Sequence, residues 1–145
     1  MELTKINGGN VYLDANIFIY ALEGSPEYRD KITALFSRIS ETKSIVITSE
    51  LTLAECLVKP YSEDDQASIS KYEAYIKTSG FLKVKALPIS VLKKSAQCRA
   101  EYKNKLPDSI HLATAINENC TVFVTNDIRL KTPNNITTLS LKEIH

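Results

Sequence analysis

The sequence predicts an α/β fold: a central, mainly parallel sheet covered by helices on both faces. Two observations carry this. The β-branched run SIVITS has the unbroken apolar character of a strand buried on both sides. Short strand-like runs also alternate along the chain with segments whose apolar residues recur at helical spacing, and that alternation is the mark of a parallel sheet with helical crossovers. The chain has 145 residues and is 43% hydrophobic, enough for one compact domain, and no linker or repeat divides it, so residues 1–145 are read as a single unit.

The elements follow in order. A first strand is expected at about 11–14, after Gly8, Gly9 and Asn10, and a helix from near Asp14. A second helix follows Pro26, through YRDKITALFSRIS, with Ile32, Leu35, Phe36 and Ile39 on one face. After SIVITS, Ser49 opens the helix SELTLAECLVKP, which Pro60 is expected to stop. Ser62, with acids at 63–65, should cap a further helix that ends at Gly80. FLKVKALPIS reads as a third strand, and Ser90 begins the helix VLKKSAQCRAEYKNK. Pro107 and Asp108 open SIHLATAINEN, with Ile110, Ala113 and Ile116 as a narrow apolar face. The strands CTVFVTN and ITTLSL complete the chain.

Bulk properties exclude several classes. Apolar runs are broken well short of the roughly 20 residues a membrane-spanning helix needs. The start MELTKINGGN has neither the basic head nor the apolar core of a signal peptide, so a soluble cytoplasmic protein is expected. Cys56, Cys98 and Cys120 are far apart and form no CxxC pair, which suits reduced core residues rather than disulfides or zinc ligands. A net charge of +1 gives no overall nucleic-acid signature. Between Lys83 and Lys105, however, seven basic residues face a single acid, Glu101. That stretch reads either as a solvated helix face or as a phosphate-facing edge.

The informative stretch is VYLDANIFIY, residues 11–20, where Asp14 and Asn16 interrupt an apolar run. An uncompensated carboxylate near a core costs several kcal/mol, so something must hold Asp14 there. Asp127 also follows a buried strand, and Asp108 lies in the first turn of a helix. Each has an ordinary explanation as a helix cap or turn residue. Glu55 lies too far along its helix for that, at the border of the apolar arc beside Leu51 and Val58. In a parallel sheet, ligands collect beyond the carboxyl ends of the strands, which is where these acids would meet. Gathered carboxylates raise one another's pKa values unless a cation joins them. Hard oxygens without a His or Cys cluster favour Mg²⁺ or Mn²⁺. Such a site suits water attack on a phosphodiester and needs no protein nucleophile. The two histidines fit that view: His111 reads as packed or supporting rather than catalytic, and His145 is terminal.

The segments YLDANIFIY, LTLAECLVKP, KLPDSIHLATAI and FVTNDIRL resemble, in chain order, the four motifs of the PIN-domain ribonucleases, especially the VapC-type toxins of bacterial and archaeal toxin–antitoxin modules. The intervals between their acids are 41, 53 and 19 residues. The resemblance implies a three-layer α/β/α sandwich and metal-dependent cleavage of single-stranded RNA leaving 5′-phosphate and 3′-hydroxyl ends. It implies Asp14, Glu55, Asp108 and Asp127 as the acidic quartet, Asp14, Asp108 and Asp127 as metal ligands, and Asn16 and Thr125 as supporting residues. It further implies a homodimer and a small antitoxin partner. Two other readings stay open: a non-catalytic RNA- or protein-binding module on the same fold, and a haloacid-dehalogenase-like phosphatase. Against the latter, Asn16 stands where a second aspartate would be needed.

Overall fold

Alternation along the chain becomes a single five-stranded sheet in the computed structural model, which describes residues 2–78 and 80–144. His145 lies outside the described residues. The order is β1 (Asn10–Leu13), α1 (Ala15–Glu23), α2 (Arg29–Thr42), β2 (Ile45–Ser49), α3 (Glu50–Ser62), α4 (Gln66–Thr78), β3 (Leu82–Lys85), α5 (Ile89–Tyr102), α6 (Leu106–Asn117), β4 (Cys120–Thr125) and β5 (Thr137–Ser140). Across the sheet the strands run β3-β2-β1-β4-β5, and every pairing is parallel.

Period-two side-chain alternation splits the core into two halves. Val11, Leu13, Val46, Val122 and Val124 point to one face, where they meet Ile17, Phe18, Ile32, Leu35, Cys56 and Ile76 from α1–α4. Tyr12, Ile47 and Phe123 point to the other, against Val91, Cys98, Leu112 and Ala115 from α5 and α6. The result is the three-layer sandwich, with α1–α4 on one side and α5–α6 on the other. All three cysteines are buried and unpaired. Among the described residues no helix is long and apolar enough to cross a membrane.

Several boundaries differ from the sequence reading, each for a physical reason. Pro60 does not stop α3, which continues to Ser62. A proline removes only its own N–H, so it is tolerated near a helix end, and here its carbonyl accepts from Asp65 N–H at 2.9 Å. The cap of α4 comes from Asp65, not Ser62: its carboxylate accepts from the Ser68 N–H at 3.1 Å and the Ser68 hydroxyl at 2.7 Å. The third strand is only four residues long because its one partner, β2, ends at Ser49, opposite Lys85. α6 is buried more widely than the face Ile110–Ala113–Ile116 suggests. Ser109, His111, Leu112, Ala113, Thr114 and Ala115 are buried, whereas Ile110 and Ile116 are only partly so.

The chain leaves β1 on one side of the sheet and returns to β4 on the other, so strand order reverses between these two neighbours. That reversal opens a crevice beyond their carboxyl ends, the usual ligand position in open α/β sheets.

Candidate active site

Asp14 stands immediately after β1 and caps α1. It accepts from the Asn16 N–H at 3.2 Å, and its own N–H donates to the Val124 carbonyl of β4 at 3.2 Å. Only 7% of Asp14 is exposed, and among the described residues no Lys or Arg side chain is bonded to it. Burial pushes its carboxyl up to about 6; the nearby Asp108 charge adds to this, while the Thr125 hydroxyl and His111 oppose it. Asn16 is exposed, and the contact it makes to Asp14 is through its backbone.

Thr125, the last residue of β4, is buried and joins two of the acids. Its hydroxyl faces the Asp14 carboxylate, whose charged form it favours, and accepts from the Asp127 N–H at 3.1 Å. Asp127 is more open. One carboxylate oxygen accepts from the Arg129 backbone N–H at 2.9 Å and from its Nε at 3.2 Å, and these contacts hold Asp127 below the usual carboxylate range.

Asp108 lies in the first turn of α6, one turn before His111. Its carboxyl is pushed up, chiefly by partial burial and then by the charges of Asp127 and Glu55, with His111 and Lys105 opposing. Glu55 reaches across from α3, 36% exposed, and meets His111 Nε2 at 2.5 Å. The structure therefore places Asp108 of α6 within electrostatic range of each of the other three predicted acids: Asp14 after β1, Glu55 of α3 and Asp127 after β4.

Of the basic stretch 83–105, Lys105 bears on both Asp108 and Asp127. Lys85 pairs with Glu118 at 3.3 Å, and Lys93 and Lys94 flank Asn117 and Asn119 beyond the far end of α6. Tyr12 is not among the residues expected at the site. Its hydroxyl lies 2.5 Å from His111 Nδ1, completely buried, with the ring stacked on Phe123. A tyrosine inside a strand buried on both faces was itself the signal, since its hydroxyl must find a partner.

Among the described residues no three acidic, His or Cys side chains converge closely enough to grip a metal ion by themselves. The donor chemistry nevertheless fits Mg²⁺ or Mn²⁺. Two carboxylates with raised pKa, Asp14 and Asp108, offer hard oxygens, and Mg²⁺ characteristically uses one or two carboxylates and keeps several waters.

Taken together, fold and site define an α/β protein with an acidic crevice at the switch point of a five-stranded parallel sheet. The family model for the PIN domain matches residues 11–134, so the chain belongs to the PIN-domain family. No curated protein shows significant sequence similarity to it. Among solved structures it is similar to a toxin–antitoxin complex from Klebsiella pneumoniae, with TM-score 0.66 and 21% identity over 92% of this chain and 99% of that one. VapBC2 from Rickettsia felis, bound to a DNA fragment from its promoter, gives TM-score 0.67 and 19% identity over 90% of this chain and 98% of that one. VapC20 of Mycobacterium tuberculosis, a sarcin–ricin loop-cleaving toxin, gives 0.63 and 12% over 78% and 86%.

Proposed function

We propose that this chain is a divalent-metal-dependent endoribonuclease that cleaves single-stranded RNA by water attack on a phosphodiester. We further propose that it is the cytoplasmic toxin of a toxin–antitoxin pair and works as a homodimer. The observation that carries the catalytic reading is Asp14: a buried carboxylate with no bonded Lys or Arg, beside Asp108, in the crevice where α/β sheets bind ligands. The toxin reading rests on the PIN family and on neighbours that are toxin–antitoxin proteins, one described as cleaving the sarcin–ricin loop.

In this reading Asp14, Asp108 and Asp127 would hold Mg²⁺ or Mn²⁺, and Glu55 completes the acidic site. Such an ion, when bound, supplies a water of lowered pKa and charge stabilisation for the displacement. The chain does the positioning. Thr125 and the Asn16 N–H fix the Asp14 carboxylate, and the Thr125 hydroxyl also anchors the backbone of Asp127. Lys105 and the 82%-exposed Arg129 offer positive charge to the phosphates beside the acids.

The test is incubation with total RNA, with and without Mg²⁺, followed by mapping of the ends. Metal-dependent 5′-phosphate products that disappear in Asp14→Asn support the assignment; cleavage by that variant at the wild-type rate removes Asp14 from the mechanism. Two observations favour a second reading, a non-catalytic binding module: no preassembled three-ligand cage is found among the described residues, and Arg129 occupies Asp127. In that case saturating Mn²⁺ should leave the melting temperature unmoved.

A further inference from the structure

We propose that Tyr12 and His111 are positioning residues that fix the Glu55 carboxylate through a buried chain: Tyr12 Oη–H to His111 Nδ1, and His111 Nε2–H to Glu55 Oε1, each at 2.5 Å. The proposal rests on the nuclease reading for what Glu55 does, but not for the existence or direction of the chain.

Glu55 lies on the solvent border of α3, where an unrestrained glutamate would sample many rotamers. Its side chain bonds His111, which is 2% exposed and carried by a different helix. His111 is in turn anchored by Tyr12, fully buried in β1 two residues before Asp14. The chain thus ties α3, α6 and β1, the three elements that bring Glu55, Asp108 and Asp14.

Its direction follows from donor and acceptor capacity. An ionised carboxylate can only accept, so the ring proton belongs on Nε2. In a neutral ring Nδ1 is then bare and the Tyr12 hydroxyl donates to it, which is the arrangement proposed here. Tyr12 therefore selects the tautomer that His111 presents to Glu55, a relation known from supporting residues around metal sites, whose loss weakens affinity or activity about 10–100-fold.

The experiment compares Tyr12→Phe, His111→Leu and His111→Gln with wild type, each checked for native circular dichroism. Gln keeps an amide N–H near the Nε2 position; Leu fills space without donating. Expected are an about tenfold or larger loss of Mn²⁺ affinity and kcat in His111→Leu, with KM for RNA unchanged, partial rescue in His111→Gln, and no further loss when His111→Leu is added to Glu55→Gln. In ¹⁵N-labelled wild type at neutral pH the His111 ring should show the Nε2–H tautomer, and in Tyr12→Phe a mixture of both tautomers.

A wild-type ring already mixed, or His111→Leu equally costly with and without Glu55→Gln, overturns the proposal. If His111→Leu does not fold, Tyr12→Phe carries both the tautomer and the Mn²⁺ measurements. Should wild type cleave no RNA while its tautomer and Mn²⁺ results come out as expected, the nuclease reading fails and the positioning chain stands.

Discussion

The Thr125 hydroxyl accepts from the Asp127 N–H at 3.1 Å and also favours the charged Asp14 carboxylate, so one small side chain bears on the acids at the ends of β1 and β4. Thr125→Val is nearly isosteric and removes the hydroxyl that makes both interactions. Losing a hydrogen bond to a buried charged group costs about 1.5–3 kcal/mol. Metal-free protein should lose stability on that scale in denaturant titrations, and Mn²⁺ affinity should fall by about an order of magnitude. Thr125→Ser should restore both. Unchanged Mn²⁺ binding in the valine variant would remove Thr125 from the site.

Asp14 predicts a pH dependence of opposite sign to that of a salt-bridged carboxylate. Burial raises its pKa from 3.8 to about 6 in the fold, so between those values the folded protein binds more protons than the unfolded chain. The metal-free fold is therefore favoured by protonated Asp14 at low pH and loses stability as pH rises through 4 to 6. The loss is on the order of 2–3 kcal/mol and is complete above pH 6. Asp14→Asn does not titrate. With EDTA present, the stability of the variant relative to wild type should increase by that amount between pH 4 and pH 7.5. A pH-independent difference would show that Asp14 is not held in its buried, uncompensated state.

Arg129 competes for Asp127. The pair is exposed on the arginine side, so Arg129→Ala should change stability by less than about 1 kcal/mol. Freeing the carboxylate should tighten Mn²⁺ binding about two- to fivefold, the range that an exposed ion pair of up to about 1 kcal/mol allows. Titration of Mn²⁺ by electron paramagnetic resonance measures this directly. Weaker binding in the variant would make Arg129 a support of the site, not a competitor.

These relationships differ in how far they could be read from the chain. The parallel sheet was legible because SIVITS and CTVFVTN are too uniformly apolar for half-exposed strands, and the strand-end aspartates because an acid there lies beyond a buried β-run. The buried surface of α6 was not. Its Ser109 and Thr114 hydroxyls bond the carbonyls of Lys105 and Ile110 within the helix, which lets polar residues occupy the interior. A pattern that sorts residues by polarity puts them outside. The Tyr12–His111–Glu55 chain spans separations of 99 and 56 residues, and it depends on α3 and α6 meeting above the sheet edge, a packing relation that no local spacing encodes.

The placement of the lysines changes what the basic stretch can do. Asn117, beside Lys93 and Lys94, lies nine residues beyond Asp108 on α6, about 14 Å along the helix, whereas Lys105 directly precedes that helix at the acid end. If RNA lies across the acids, Lys105 meets its phosphates and Lys94 does not. Each phosphate contact on a single strand contributes about 0.7 to the slope of log K against log salt. Lys105→Gln should therefore weaken binding of an uncleavable single-stranded oligonucleotide and flatten its salt dependence by about that amount. Lys94→Gln should leave both unchanged. Equal effects from the two substitutions would mean that the charge acts as a diffuse field over the whole face, and that the RNA path does not follow the crevice between β1 and β4.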